Sequence, residues 1–350
     1  MIAREGGEIL KMMISGVVVV SGLLASSGFV IETMKRVNPM PAPGRFVELE
    51  DAEGNAVNVH YQYYGDGDVT VVFDGGVGET SFDWDKVTQQ VAKFASVLAI
   101  DRPGLGFSTA TMSPRTASQI ASEYASVLDH LQIKGSVLLV AHGAGGYNMR
   151  QLAENLDQDP SSAIKCQGLV LVDSLQENLR SELESVSEPV RKALETMDTN
   201  GDTVLTLSRI GFIRLVSNMQ HKKNEAKYSP EALPFSFRDA PSKGFAFPSV
   251  VLSHSRPDLF AGMKVQQGVD AAAIAALEDK WQEAQRALAK SLSDSSGTSA
   301  TQIVVPDAGH CIHHEKPDAI VDVVRALVNE IHDEGSFEGL TSLKYSLCPI

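Results

Sequence analysis

Three short apolar runs rich in Val, Leu and Ile are each followed within two residues by small, acidic or histidine residues. The runs Ser136–Val140, Leu169–Val172 and Ile303–Val305 precede Ala141-His-Gly-Ala-Gly-Gly146, Asp173 and Asp307-Ala-Gly-His-Cys-Ile-His-His314. Imidazole and carboxylate groups are the side chains that most often transfer protons in catalysis. In open α/β sheets, ligands bind beyond the carboxyl ends of the strands. The pattern therefore predicts a site for acid–base chemistry where these strands end.

Five segments, taken in order along the chain, together resemble one known family. They are Phe73–Trp84, Ala99–Ser108, the strand, sharp turn and helix around Ala141–Gly146, Leu169–Asp173 and Asp307–His314. They are similar to the esterase-like group of α/β-hydrolase-fold proteins, whose nucleophile stands on a sharp turn between a strand and a helix, the nucleophile elbow. The resemblance covers nearly all of residues 45–330.

The resemblance implies roles for individual residues. His310 stands where the family places its general base. The backbone N–H groups of Val77 and Ala144 stand where it places the oxyanion hole. The acid that orients the base follows one of two strands in this family, so Asp173 is the preferred candidate and Asp258 is the alternative.

The sequence departs from the family at the residue that decides the chemistry. Where the family has its nucleophilic serine, this chain has Gly143, and glycine has no side chain that can attack a carbonyl. Because glycine tolerates the strained backbone of such a turn, the sequence predicts that the fold and the oxyanion pocket persist without the covalent step. Epoxide hydrolysis and dehalogenation would need a carboxylate at this position, so they are set aside.

The sequence leaves three functions open. The first is a catalytically impaired member of the family that acts as a ligand-binding or regulatory protein for an ester-like or lactone-like small molecule. The second is an active carboxylic-ester hydrolase in which His310 activates water, or a nucleophile-knockout form of a serine hydrolase. The third is a membrane-tethered interaction scaffold.

The elements that must position these residues follow an alternating pattern of strands and helices. It predicts an α/β fold, with a mostly parallel eight-stranded sheet flanked by helices. The predicted strands are Phe46–Leu49, Val57–Tyr64, Val69–Phe73, Val97–Ile100, Val137–Val140, Leu169–Val172, Val250–Ser253 and Ile303–Val305. The apolar periodicity of Thr116–Leu131 predicts an amphipathic helix that begins with a capping box. The long polar stretch 175–248 predicts a helical lid inserted over one end of the sheet.

Residues 1–36 form a segment of their own. Residues 12–31 carry no charged side chain, and as a helix with a rise of ~1.5 Å per residue they would match the hydrocarbon core of a bilayer. This predicts a single-pass N-terminal membrane anchor. The alternative is a signal peptide cleaved near Ala25-Ser-Ser27, which would give a secreted or lumenal protein. The rest divides into a proline-rich linker, a hydrolase-like domain and a C-terminal tail: 37–44, 45–332 and 333–350.

Composition excludes several classes of protein. The chain has 350 residues, of which 43% are hydrophobic and 21% charged, and this is typical of a folded globular protein. Its net charge of -14 repels phosphate backbones, so nucleic acid is not an expected partner. The three cysteines, Cys166, Cys311 and Cys348, are widely spaced and support neither a disulfide framework nor a zinc knuckle.

Two groups of residues resemble metal sites without completing one. The stretch from Asp198 begins like a calcium-binding EF-hand loop, but its twelfth position is Arg209 where a glutamate is required. His142, His313 and His314 lie at the elbow or shortly after the predicted base, but the sequence does not place carboxylates with them. We therefore expect neither a metal nor another cofactor.

Overall fold

The computed structural model describes most of the chain beyond residue 41. The described ranges are 42–51, 53–177, 179, 185–190, 244–257, 259, 269–293, 300–333 and 346–348. The predicted N-terminal segment, most of the linker and lid, and the EF-hand-like stretch lie outside them. Within these ranges, no helix combines the length and the apolar character needed to cross a membrane.

A nine-stranded sheet forms the centre of the molecule, in the order β1-β2-β4-β3-β5-β6-β7-β8-β9. The strands are Arg45–Glu50 (β1), Ala56–Tyr64 (β2), Thr70–Asp74 (β3), Ser96–Ile100 (β4), Gly135–His142 (β5), Ile164–Val172 (β6), Ser249–His254 (β7), Ala300–Val305 (β8) and Ser346–Cys348 (β9). Strands β3 to β8 pair in parallel. Strand β2 is antiparallel to both β1 and β4, and β9 is antiparallel to β8.

The prediction of a mostly parallel α/β sheet is confirmed, and each of the eight predicted runs forms a strand. The ninth strand, Ser346–Cys348, lies in the C-terminal tail. It was not predicted because three residues are too few for an alternating pattern to stand out from the surrounding sequence.

Helices cover both faces of the sheet. They are Asp85–Val91 (α1), Ala117–His130 (α2), Gly145–Gln158 (α3), Ala271–Leu292 (α4), Ile312–Glu315 (α5) and Pro317–His332 (α6). Leu128, Leu152 and Leu288 place α2, α3 and the end of α4 in one core layer, and Val87 and Leu327 place α1 and α6 in the other. The predicted amphipathic helix is confirmed as α2, whose buried residues include Ile120, Tyr124 and Leu128. At its start, Thr116 Oγ1 accepts the N–H of Gln119.

The covered faces explain the composition of the central strands and the position of the site. Every residue of β3 and β4 is buried, because a parallel sheet with helices on both faces has no solvent-facing side. The parallel strands β5 to β8 also end at the same edge. One region of the molecule therefore contains the residues that end or follow these strands. They include Gly143, Asp173, His254 and His310.

Candidate active site

Gly143 lies at the sharp turn between β5 and α3. Its φ is +52°, a left-handed conformation that glycine adopts without steric cost. A Cβ on Gly145 would lie 2.5 Å from the carbonyl oxygen of Gly75, so position 145 needs a glycine. A Cβ on Gly143 would meet only the Cα of Gly76, at 3.5 Å, among the described residues outside its immediate chain neighbours. Position 143 therefore has room for a side chain.

The two glycines should respond differently to a methyl group. We expect Gly145→Ala to lower the free energy of unfolding by about 3 kcal/mol, because the new atom meets a backbone oxygen that cannot move alone. Gly143→Ala should lower it by about 1 kcal/mol, from backbone strain only. Urea denaturation of both variants checks this, and equal losses would contradict the open space at position 143.

The glycine turn after β3 lies against the elbow and is held by one arginine. Arg102 Nη1 donates to the carbonyl oxygen of Gly75 at 2.9 Å, and Nη2 donates to that of Gly76 at 2.7 Å. A trans peptide directs its C=O and N–H to opposite sides, so the N–H of Val77 faces away from Arg102. Val77 and Ala144, the two predicted oxyanion-hole residues, are both half-buried.

Asp173 and His310 come together at the ends of β6 and β8. His310 Nδ1 donates to Asp173 Oδ2 at 2.6 Å. Asp173 is fully buried, whereas 26% of the His310 side chain is exposed. Because Nδ1 carries the hydrogen, Nε2 is the ring nitrogen of neutral His310 that can accept a proton. Of the two predicted acids, Asp173 pairs with His310, and Asp258 lies outside the described residues.

Asp173 accepts three further hydrogen bonds. The backbone N–H of His254 and the indole N–H of Trp281 donate to Oδ1 at 3.2 and 2.9 Å. His254 Nδ1 donates to Oδ2 at 2.7 Å, and its Nε2 donates to Glu278 Oε2 at 3.1 Å. Since both ring nitrogens of His254 face carboxylates, this ring is an imidazolium between two anions.

The two charges in this network stabilise each other. Burial by itself would raise the pKa of the Asp173 carboxyl, but the hydrogen bonds from His254 and His310 outweigh it and hold that pKa well below its ordinary value. Burial likewise opposes the charge on His254, yet its hydrogen bonds to Asp173 and Glu278 raise its pKa to about 10. Asp173 is therefore anionic, and His254 cationic, at neutral pH.

Sequence reasoning missed His254, Trp281 and Glu278. His254 is the last residue of the apolar strand β7, and a polar residue at a strand end is the signal that drew attention to Asp173. That signal would have identified His254 too. Trp281 and Glu278 carry no comparable signal, because they lie within the long amphipathic helix α4 and their neighbours along the chain do not reveal what they face.

A second buried group of imidazole and carboxylate side chains lies beside the elbow. His142 Nδ1 is 2.9 Å from Glu79 Oε1, and its Nε2 donates to the carbonyl oxygen of His310 at 3.2 Å. The ring centroids of His142 and His313 are 4.4 Å apart. Glu79 is thus the carboxylate that the sequence argument did not place near these histidines, although it lies within the glycine-rich segment that supported the family resemblance.

The two cysteines whose side chains the structure describes are not suited to replace a serine nucleophile. Burial raises the pKa of the Cys166 thiol to about 12. Burial, together with the negative charge of Glu79, raises that of Cys311 to about 12. Because the thiolate is the reactive form of cysteine, both thiols are poor nucleophiles at neutral pH.

A comparison with protein families agrees with this fold. The model of the alpha/beta hydrolase family matches residues 71–323. The chain therefore belongs to the α/β hydrolase family, and its sheet is the α/β-hydrolase fold. The hydrolase resemblance inferred from the sequence motifs is confirmed at this level.

Solved structures and one curated sequence give more distant likenesses. A thermophilic esterase from Thermogutta terrifontis has a TM-score of 0.55 and 18% identity, covering 82% of this chain and 99% of the esterase. The epoxide hydrolase CorEH has a TM-score of 0.50 and 15% identity, with the same coverage. At these identities the likeness shows the fold alone. An uncharacterized protein, YqjL of Bacillus subtilis, is 32% identical over 81 residues, which span 23% of this chain and 32% of that relative.

Proposed function

We propose that this protein binds ester-like or lactone-like small molecules through an α/β-hydrolase site that lacks the covalent step of a serine hydrolase. One observation carries the proposal: Gly143 occupies the elbow at φ +52°, next to a hydrogen-bonded Asp173–His310 pair. The proposed acid–base pair is hydrogen-bonded, and Gly143 has no side chain that could attack a carbonyl.

The glycine at position 143 is the argument against an acyl-enzyme. Glycine offers no oxygen or sulfur for attack, and Cys311, the residue after His310, has a thiol whose pKa is raised to about 12. Binding needs neither group. Backbone N–H groups at Val77 and Ala144 would attract the partial negative charge of a carbonyl oxygen, whether or not the carbonyl is then attacked.

A second candidate is slow ester hydrolysis by activated water, and the room at position 143 favours it. A water molecule there would lose a proton to His310 Nε2 while its oxygen attacks the ester carbonyl. Asp173 would stabilise the resulting imidazolium, and the Val77 and Ala144 N–H groups would stabilise the oxyanion. Collapse of the tetrahedral intermediate would expel the alcohol, which takes its proton from His310.

The N-terminal anchor and the scaffold role both stay predictions. The apolar segment 12–31 lies outside the described residues, and the net negative charge of the chain does not by itself identify a protein partner. A proposed anchor would hold the hydrolase domain near a membrane, where apolar esters concentrate. The small-molecule proposal does not depend on this anchor.

One experiment separates binding from water-based hydrolysis. The full chain, His310→Ala and the control His332→Ala, which changes an exposed histidine at the end of α6, are assayed with p-nitrophenyl acetate and p-nitrophenyl butyrate. We expect all three to hydrolyse both esters at the same rate, close to that of buffer, because the covalent step is missing. We also expect γ-butyrolactone to raise the melting temperature of the wild type.

Two other outcomes would contradict the proposal of binding without hydrolysis. If His310→Ala removes most of a measurable wild-type rate while His332→Ala keeps it, activated water is the mechanism. If the wild type neither hydrolyses these esters nor shifts its melting temperature with either ester or lactone, the small-molecule proposal is wrong.

A further inference from the structure

Glu79, His142 and His313 direct three donor atoms into one small volume between the elbow and the loop after β8. Glu79 Oε1 is 2.9 Å from His142 Nδ1 and 3.7 Å from His313 Nε2, and all three donor atoms lie within 4.8 Å of one another. With bonds of ~2.1 Å, two donors on a tetrahedral zinc ion are about 3.4 Å apart. The two measured separations from Glu79 Oε1, 2.9 and 3.7 Å, lie on either side of this value.

His313 lacks the hydrogen bonds that a buried imidazole needs. Its side chain is fully buried, and neither ring nitrogen has a hydrogen-bond partner in the part of the chain that the structure describes. The indole of Trp84 packs against the ring, with centroids 5.0 Å apart. Buried polar groups in native proteins almost always have a partner. A ring held in place with an unpaired nitrogen 3.7 Å from a carboxylate is therefore consistent with a missing ligand.

The contacts around His142 and Glu79 also indicate a cation between these two side chains. A carbonyl oxygen can only accept, so the Nε2 that faces the His310 carbonyl carries a hydrogen, and in the neutral ring Nδ1 presents its lone pair to the carboxylate. Two lone pairs at 2.9 Å need a cation between them, either a proton or a metal ion. Glu79 Oε2 also accepts the N–H of Gly76 at 2.6 Å. Hydrogen bonds of these kinds typically orient the ligands of a metal ion.

We propose that Glu79, His142 and His313 bind one divalent transition-metal ion, of which Zn²⁺ is the best fit, with a fourth position left for a small ligand. Two imidazoles and one carboxylate suit zinc, cobalt or iron, whereas magnesium and calcium prefer oxygen donors. The Glu79 side chain is 11% exposed, so an ion can enter from its side. The proposal is independent of whether the protein binds or hydrolyses esters.

Such an ion would replace the proton that His142 and Glu79 share. Burial opposes both charges, but their mutual attraction holds the pKa of Glu79 well below its ordinary value and raises that of His142. Burial lowers the pKa of His313. The other charged groups that act on the cluster are His310, His314 and Asp173.

The test uses the purified full chain after treatment with EDTA and dialysis. Titration calorimetry with Zn²⁺ at pH 7 should give one ion per chain. Substitution with Co²⁺ should produce the visible absorption bands of a four-coordinate ion. Because the ion would connect the glycine turn to the loop of His310, we expect Zn²⁺ to raise the melting temperature.

Variants then locate the ion. Glu79→Gln and His313→Gln should each weaken Zn²⁺ binding by at least about 100-fold, since loss of a group that only orients a ligand already weakens it ~10–100-fold. His332→Ala is the control, because it changes an exposed histidine at the end of α6 that is not part of the cluster. It should bind as the wild type does.

Three outcomes would overturn the proposal. In the first, a folded wild type binds neither ion, and the cluster is then an ion pair held by a proton only. In the second, Glu79→Gln and His313→Gln keep full affinity. In the third, His310→Ala abolishes binding, which places the ion on the neighbouring group Asp173, His254 and His310. If a variant does not fold, the stoichiometry of the wild type and the result for His310→Ala still decide.

Discussion

We expect Gly143→Ser to raise the hydrolysis of p-nitrophenyl butyrate by about 10²- to 10⁴-fold over the wild type. Removing the nucleophile from a complete serine hydrolase lowers kcat by ~10⁶-fold, and this figure sets the upper bound for restoring it. A smaller gain is expected because the surrounding pocket has not been adjusted around a serine hydroxyl. Steady-state release of p-nitrophenolate measures the change.

The physical reason lies in the backbone and in the space around it. Gly143 already has the left-handed φ of +52° at the turn where a serine would stand, and a Cβ would touch only Gly76 Cα at 3.5 Å. The new hydroxyl would arise on a turn whose preceding residue, His142, packs against the His310 ring with centroids 4.6 Å apart. The proposed base, His310, and its acid, Asp173, therefore already lie close to this turn before the substitution is made.

Two controls make the result specific. Gly143→Ala adds the same Cβ without a hydroxyl and should show no gain. The double variant Gly143→Ser with His310→Ala should lose the gain, because the hydroxyl then has no base. A folded Gly143→Ser protein with no burst of p-nitrophenolate and no increased rate would show that the site does not have the geometry of a serine hydrolase.

Asp173→Asn should be the most destabilising polar substitution in this site. The carboxylate accepts bonds from His254, His310 and Trp281 while fully buried. An amide cannot accept from all these donors, and it leaves the His254 imidazolium without one of its two anions. Breaking a buried charge pair by removing one partner costs ~3–5 kcal/mol, so we expect the free energy of unfolding in urea to fall by about that amount.

The control for this variant shares its backbone conformation. Asp307 has φ +54°, close to the +45° of Asp173, but its side chain is exposed. Asp307→Asn should change the free energy of unfolding by no more than about 0.5 kcal/mol. Losses of similar size in the two variants would mean that the backbone, and not the buried charge pair, sets the effect.

The pH dependence of the same variant follows from the pKa of Asp173. Its pKa in the folded protein is below the ordinary value of 3.8, so folding favours the ionised carboxyl. The stabilisation is fully present above the pKa of the unfolded chain and is lost as the pH falls toward that of the folded protein. The difference in stability between the wild type and Asp173→Asn should therefore shrink below about pH 4.

Much of the fold was predictable because the sequence patterns that indicate its elements are local. The eight strands and helix α2 were identified from apolar periodicity, which repeats within each element. The position of Gly143 was identified from a strand, turn and helix pattern that spans a few residues. Strand β9 was missed because its three residues are too few to show such a pattern.

The sequence by itself determined the fold class, the family and the absence of an attacking side chain at position 143, because each depends on residues that are neighbours along the chain. Only the tertiary structure decided which groups meet. It joined Asp173 to His254, 81 residues away, and His142 to Glu79, 63 residues away. Parallel strands bring their carboxyl ends to one edge however far apart they are in sequence. The partners of a buried charge are therefore set by packing across the sheet, which local patterns do not record.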